Sequence, residues 1–142
     1  MKIQFHNHTI ARGEAHRETP INFRVHSQNL IQEVHLIGAP TARPLNRGNR
    51  HHELTFDIIR KHPSPEKALH HALLHTTHLQ GLAGNFRAIS EETHLGITLN
   101  NAVLKSIHIT VNGLLTTDKY QIIGGDLSFD FDAKGLDRSQ SA

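Results

Sequence analysis

His71, His75 and His78 stand at i, i+4 and i+7, a spacing that in an α-helix puts three imidazoles along one side of the cylinder. Two histidines at i, i+4 can chelate zinc, nickel or copper from one helix face, because both rings reach the same point in space. The zinc-peptidase arrangement H-E-x-x-H is missing, since Ala72 follows His71 where the glutamate base would stand. His71, His75 and His78 are therefore candidate metal ligands, completed by a ligand from a strand. A solvated helix face rich in histidine is the simpler reading. No resident cofactor is expected, and zinc or nickel are the ions to consider if one binds.

A second cluster is basic. Arg43, Arg47 and Arg50, followed by His51 and His52, fall in or beside the stretch GAPTARPLNRGNR, residues 38–50. Its two prolines and two glycines predict a long exposed loop. Arginines there could hold phosphates, but the stacking aromatics of a nucleic-acid surface are missing nearby. A contact between subunits, with the planar guanidinium on a neighbour's carboxylates, suits an interaction loop better.

Histidine also recurs on strand-like segments at His6, His8, His26, His35 and His108. Neighbouring strands would align these into a ladder that binds metal or responds to pH; separated strands would leave them as surface residues. Protonating all 14 histidines adds fourteen charges to a formal net charge of only +2, so association or solubility is expected to change between about pH 7 and 5.5.

Covalent chemistry finds little support. Cysteine is absent, which excludes disulfides, thiolate metal sites and a thiol nucleophile. Ser64, Ser90 and Ser106 lack a G-x-S-x-G elbow, and Glu91 and Glu92, being adjacent, would point to opposite faces of a strand. Enzymatic activity is not expected.

The elements that must carry these residues are mostly strands. Ile3 and Phe5, Ile21, Phe23 and Val25, Val34 and Leu36, Leu54, Phe56 and Ile58, Ile107, Ile109 and Val111, and Leu127, Phe129 and Phe131 each alternate with polar neighbours, the period-2 signature of a sheet with one wet face. Asn112-Gly113 and Gly124-Gly125 read as hairpin turns, giving the C-terminal half the form of an antiparallel meander. One segment breaks the period. Ser64 is a good N-cap, Pro65 fits the first helical position, Glu66 complements the dipole and Gly81 offers a stop. A helix over residues 64–79 follows, with Leu69, Ala72, Leu73 and Thr76 packed on the sheet and the histidines turned away. The fold expected is mainly β (α+β): an antiparallel β-barrel or sandwich with one flanking helix. The 142 residues make one domain over 1–132, with residues 133–142 a flexible tail. The start MKIQFHNHTI has no apolar leader run, and no stretch approaches the length of a membrane span; a cytoplasmic protein without membrane contact is expected.

The order of elements carries a resemblance. Arg47-Gly48-Asn49-Arg50 leads into Leu54-Thr55-Phe56-Asp57-Ile58 and a Pro-started helix at Ser64 to His78. Val103-Leu104-Lys105-Ser106-Ile107 follows, and then Tyr120-Gln121-Ile122-Ile123-Gly124-Gly125. Over residues 45–131 this resembles the small tail-associated structural proteins of tailed bacteriophages and prophages. The resemblance implies a non-enzymatic assembly subunit within a virion or phage-like particle. Its partners would be copies of itself or other structural proteins, touched through the loop 38–50. A His-dependent metal protein or metalloenzyme, and nucleic-acid binding through residues 43–52, are the alternatives.

Overall fold

The computed structural model describes the backbone of residues 1–34 and 43–130 and the side chains of 1–27 and 51–130. Eight strands and one α-helix follow in order: β1 (Lys2–Phe5), β2 (His8–Ala11), a 3-10 turn (Glu14–His16), β3 (Pro20–Val34), β4 (Arg43–Lys61), α1 (Pro65–Leu79), β5 (Ala83–Ile89), β6 (Gly96–Asn112), β7 (Leu115–Gly124) and β8 (Asp126–Asp130). All pairings are antiparallel, in the order β2-β1-β5-β6-β7-β4-β3, with β8 also on β6.

The fold is mainly β with one flanking helix, as expected, but one open sheet takes the place of a closed barrel or a sandwich. The sheet is strongly curled. Phe86 on β5 and Phe56 on β4 are three strands apart in the sheet order, roughly 14 Å in a flat sheet, yet their ring centroids lie 5.9 Å from each other. Phe5, Phe23 and Tyr120 pack onto the same two rings. Curling brings the inward side chains of Ile3, Phe5, Leu54, Phe56, Ile58, Phe86, Leu99 and Ile122 into one core.

The curl is built into β6. Its inward residues change parity twice, from Leu99 to Ala102 and Leu104, then to the partly buried Ile107 and Ile109. Asn101 takes a left-handed φ of 52° between the first pair, and a register shift after Leu104 separates the second. Each inserted residue turns the strand by one face and bends it. The β6–β7 hairpin turns at Gly113, whose φ is 64°. At Gly124-Gly125 there is no hairpin: β8 runs on in the direction of β7 along β6. Gly124 serves a close approach instead, since a Cβ there would lie 2.7 Å from Cγ of Leu99.

Two further expectations change. Residues 43–50 are strand, because β4 begins at Arg43 and pairs with β3 along its length; Arg43, Arg47, Arg50, His51 and His52 are therefore strand residues, not loop residues. The remainder of the expected loop, and the tail 133–142, lie outside the described residues. The helix starts as expected, with Ser64 Oγ accepting from Lys67 N at 3.2 Å, but it is turned the other way. Ala68, His71, Ala72, His75 and Leu79 face inward, while Leu69 and Leu73 are 53% and 63% exposed.

Candidate functional site

The inward faces of β4 and β7 explain that rotation. Their register pairs Leu54 with Ile122, Phe56 with Tyr120, Ile58 with Asp118 and Arg60 with Thr116. One end of this double stripe is apolar and the other is charged, with no change of parity. Asp118 is 0% exposed and Arg60 nearly buried. Charges removed from water need partners, so the helix face laid over them carries histidines where leucines would have left the charges unmet.

The contacts form one network. The Arg60 guanidinium donates to Asp118 Oδ2, to the backbone oxygen of Ile10, to Tyr120 Oη at 3.2 Å and to Glu18 Oε2 at 3.2 Å. It thereby ties β4 to β2, the far edge of the sheet order, across the curl. His71 Nε2 donates to Asp118 Oδ2 at 2.7 Å, and Tyr120 Oη donates to the same oxygen at 3.3 Å. Arg12 completes the outer end through its Nε on Glu18 Oε1 at 2.8 Å. His62 and Thr116 share a hydrogen bond of 2.9 Å. The rings of His62, His71 and His75 lie in a row, each tilted 38° to the next, with centroids 4.9 and 4.2 Å apart. A cleft of about 330 Å³ opens over this row, between Arg12, Glu18, Arg60 and the histidines.

The electrostatics follow from burial and neighbours. Burial pushes the Asp118 carboxyl up, but the His71 hydrogen bond and the charge of Arg60 outweigh it and hold the group below the usual carboxylate range. Burial, then the charges of His71 and Arg60, depress the His75 imidazole to about 4. His62 is lowered by burial and by His71, and Tyr120 is raised by burial. Asp118 is ionised and His75 neutral at pH 7.

Of the candidate ligands, His71 and His75 come together with Asp118, their donor atoms all within 4.8 Å of one another. His78 is exposed and outside this group. His52, expected in the interaction loop, is buried in β4 with its Nδ1 2.7 Å from Ser27 Oγ. The histidine ladder does not form among the described residues: His26 stands opposite Glu53 and His108 opposite Lys119, while His6 lies in the turn after β1. His35 lies outside them. Sequence reasoning missed Arg60, Asp118, Tyr120, Glu18 and His62. The signal was there, because Arg60 continues the parity of Phe56 and Ile58, and Asp118 that of Tyr120 and Ile122.

Comparison with solved structures adds the fold's context. The chain shares its fold with a protein of the virion of a native gene transfer agent particle. The match covers 91% of this chain and 94% of that one, with a TM-score of 0.52 and 14% identity. A chain from the tail of an empty gene transfer agent particle, of C6 symmetry, is similar over 87% of this chain and 85% of its own, with a TM-score of 0.49 and 15% identity. No protein-family model and no curated protein matches the sequence.

Proposed function

We propose that the chain is a non-enzymatic structural subunit of a phage-tail-like assembly, acting through contacts with copies of itself or with other structural proteins. The observation that carries this reading is the likeness, over nearly the full length of both chains, to a protein of a gene transfer agent virion. Two features of the surface support it. From His52 to Ile58, β4 is flanked by both β3 and β7, whereas from Arg43 to Arg50 it pairs with β3 alone among the described residues. Residues 29–34 and 43–50 thus extend as a two-stranded arm, and Arg43, Arg47 and Arg50 lie along it. A lone hairpin is marginally stable in water and offers free backbone edges, so it gains by lying on a neighbour. The outward apolar face of α1, with Leu69, Leu73 and Leu74, is a second surface suited to burial.

Native mass spectrometry of the untagged chain across a concentration series tests the proposal. Discrete oligomers that dissociate when residues 29–50 are replaced by a short turn are expected. A strict monomer at high micromolar concentration, alone and with the structural proteins encoded beside it, would overturn the reading.

A further inference from the structure

Asp118 holds an asymmetry that the network leaves unanswered. Its Oδ2 accepts from Arg60, His71 and Tyr120, whereas Oδ1, equally buried, has no hydrogen-bond partner. Buried carboxylate oxygens are normally paired, and an orphan among well-satisfied neighbours points to a missing ligand. Next to it stand two imidazoles at i, i+4 on α1, with ring centroids 4.2 Å apart. We propose that His71, His75 and Asp118 form a binding site for a divalent ion of the zinc class, pinning α1 to β7.

The geometry is close to what such an ion requires. The three donor atoms lie within 4.8 Å of one another, and a tetrahedral zinc with ligands at about 2.0–2.2 Å places them about 3.4 Å apart. Rotation of the two histidine side chains closes that gap, with His71 Nε2 exchanging its hydrogen bond to Asp118 for the metal. Arg60 and Tyr120, fixed on Oδ2, orient the carboxylate as an outer shell does. Arg60 brings a positive charge beside the ion, and Glu18, 3.2 Å from its Nε, offsets it. Two nitrogens and one carboxylate suit zinc, nickel, cobalt or copper; calcium and magnesium prefer all-oxygen sites. The fourth position faces the cleft beside His62, where water completes the shell. The site is independent of the assembly reading, since it lies between two elements of one chain.

Zinc titration of the untagged, chelator-treated full chain, by calorimetry with elemental analysis after dialysis, tests the site. One zinc per chain is expected, with affinity reduced at least about tenfold by His75→Ala or Asp118→Asn and unchanged by His78→Ala or His70→Ala. Asp118→Asn also disturbs Arg60 and can cost folding. His75→Ala, on a partly exposed residue, keeps the test decisive once circular dichroism shows a native spectrum. Absence of stoichiometric zinc at 10 µM, or binding that survives His75→Ala, would overturn the proposal. Weak binding of several ions by exposed histidines would overturn it equally. Oligomeric state read on the same samples separates loss of metal from loss of assembly.

Discussion

The two ends of the β4–β7 stripe share one register and one parity but are held together by different physics. At the Leu54–Ile122 end, stability comes from apolar area removed from water and is spread over many weak contacts. At the Arg60–Asp118 end it depends on each charge having the other, with His71 and Tyr120 on Asp118 Oδ2 and Glu18 on Arg60. The apolar end tolerates adjustment; the charged end does not tolerate the loss of one member. The difference also sets the rotation of α1, since its small and histidine positions cover the charges and its leucines are left outside.

The largest expected effect breaks that contrast directly. Arg60→Met or Asp118→Leu alone strips the other residue of its buried counter-charge, leaving only Glu18 or His71 beside it, and should lower unfolding free energy by about 3–5 kcal/mol. Replacing both together, Arg60→Met with Asp118→Leu, should cost clearly less than the sum. At the other end, Leu54→Ala with Ile122→Val, neighbours in register, should depart less from additivity, because packing losses strand no buried charge. Urea titration of the single and double variants reads both cycles.

An acid titration gives a smaller effect. In chelator-treated protein the unfolded chain takes up the His75 proton near its ordinary value of 6.5, and the folded chain only near about 4. The unfolded state therefore binds more protons in between, and stability falls as pH drops from about 6.5 to 4. Burial, then His71, Arg60, Asp118 and Glu18, set that shift. Thermal melts at pH 7 and pH 5 should differ in this direction for the native chain and less for His75→Gln.

The elements that carry this contrast were legible in the sequence; its charged end was not. Alternation at Ile3 and Phe5 and at Leu54 to Ile58, and the Ser64-Pro65 start, located strands and helix because local sterics and capping decide them. The rotation of α1 was not, because hydrophobicity alone assigns Leu69 and Leu73 to the core; a charged pair contributed by strands 58 residues apart reversed the choice. His71 and His75 were recognisable as a pair, but their strand partner Asp118 was hidden by the assumption that a charged residue marks the wet face. The curl of the sheet escaped notice for a related reason: the parity changes at Asn101 and after Leu104 arise from backbone geometry that the spelling of β6 does not reveal.

Two smaller effects sharpen the picture of the helix. Ser64→Ala removes the oxygen that accepts from Lys67 N and should cost about 1 kcal/mol, read as a shift in the urea midpoint. Leu73→Ser, on the outward face, should change monomer stability by no more than about 0.5 kcal/mol. If that face is buried between subunits, the same change should weaken association in sedimentation velocity.

The central claim, a structural subunit that works by assembling, is tested most directly by electron microscopy of the untagged chain at high concentration. The account predicts closed or stacked particles in which the β3–β4 arm lies on a neighbouring copy. Fields of separate monomers, unchanged by added structural partners, would contradict it.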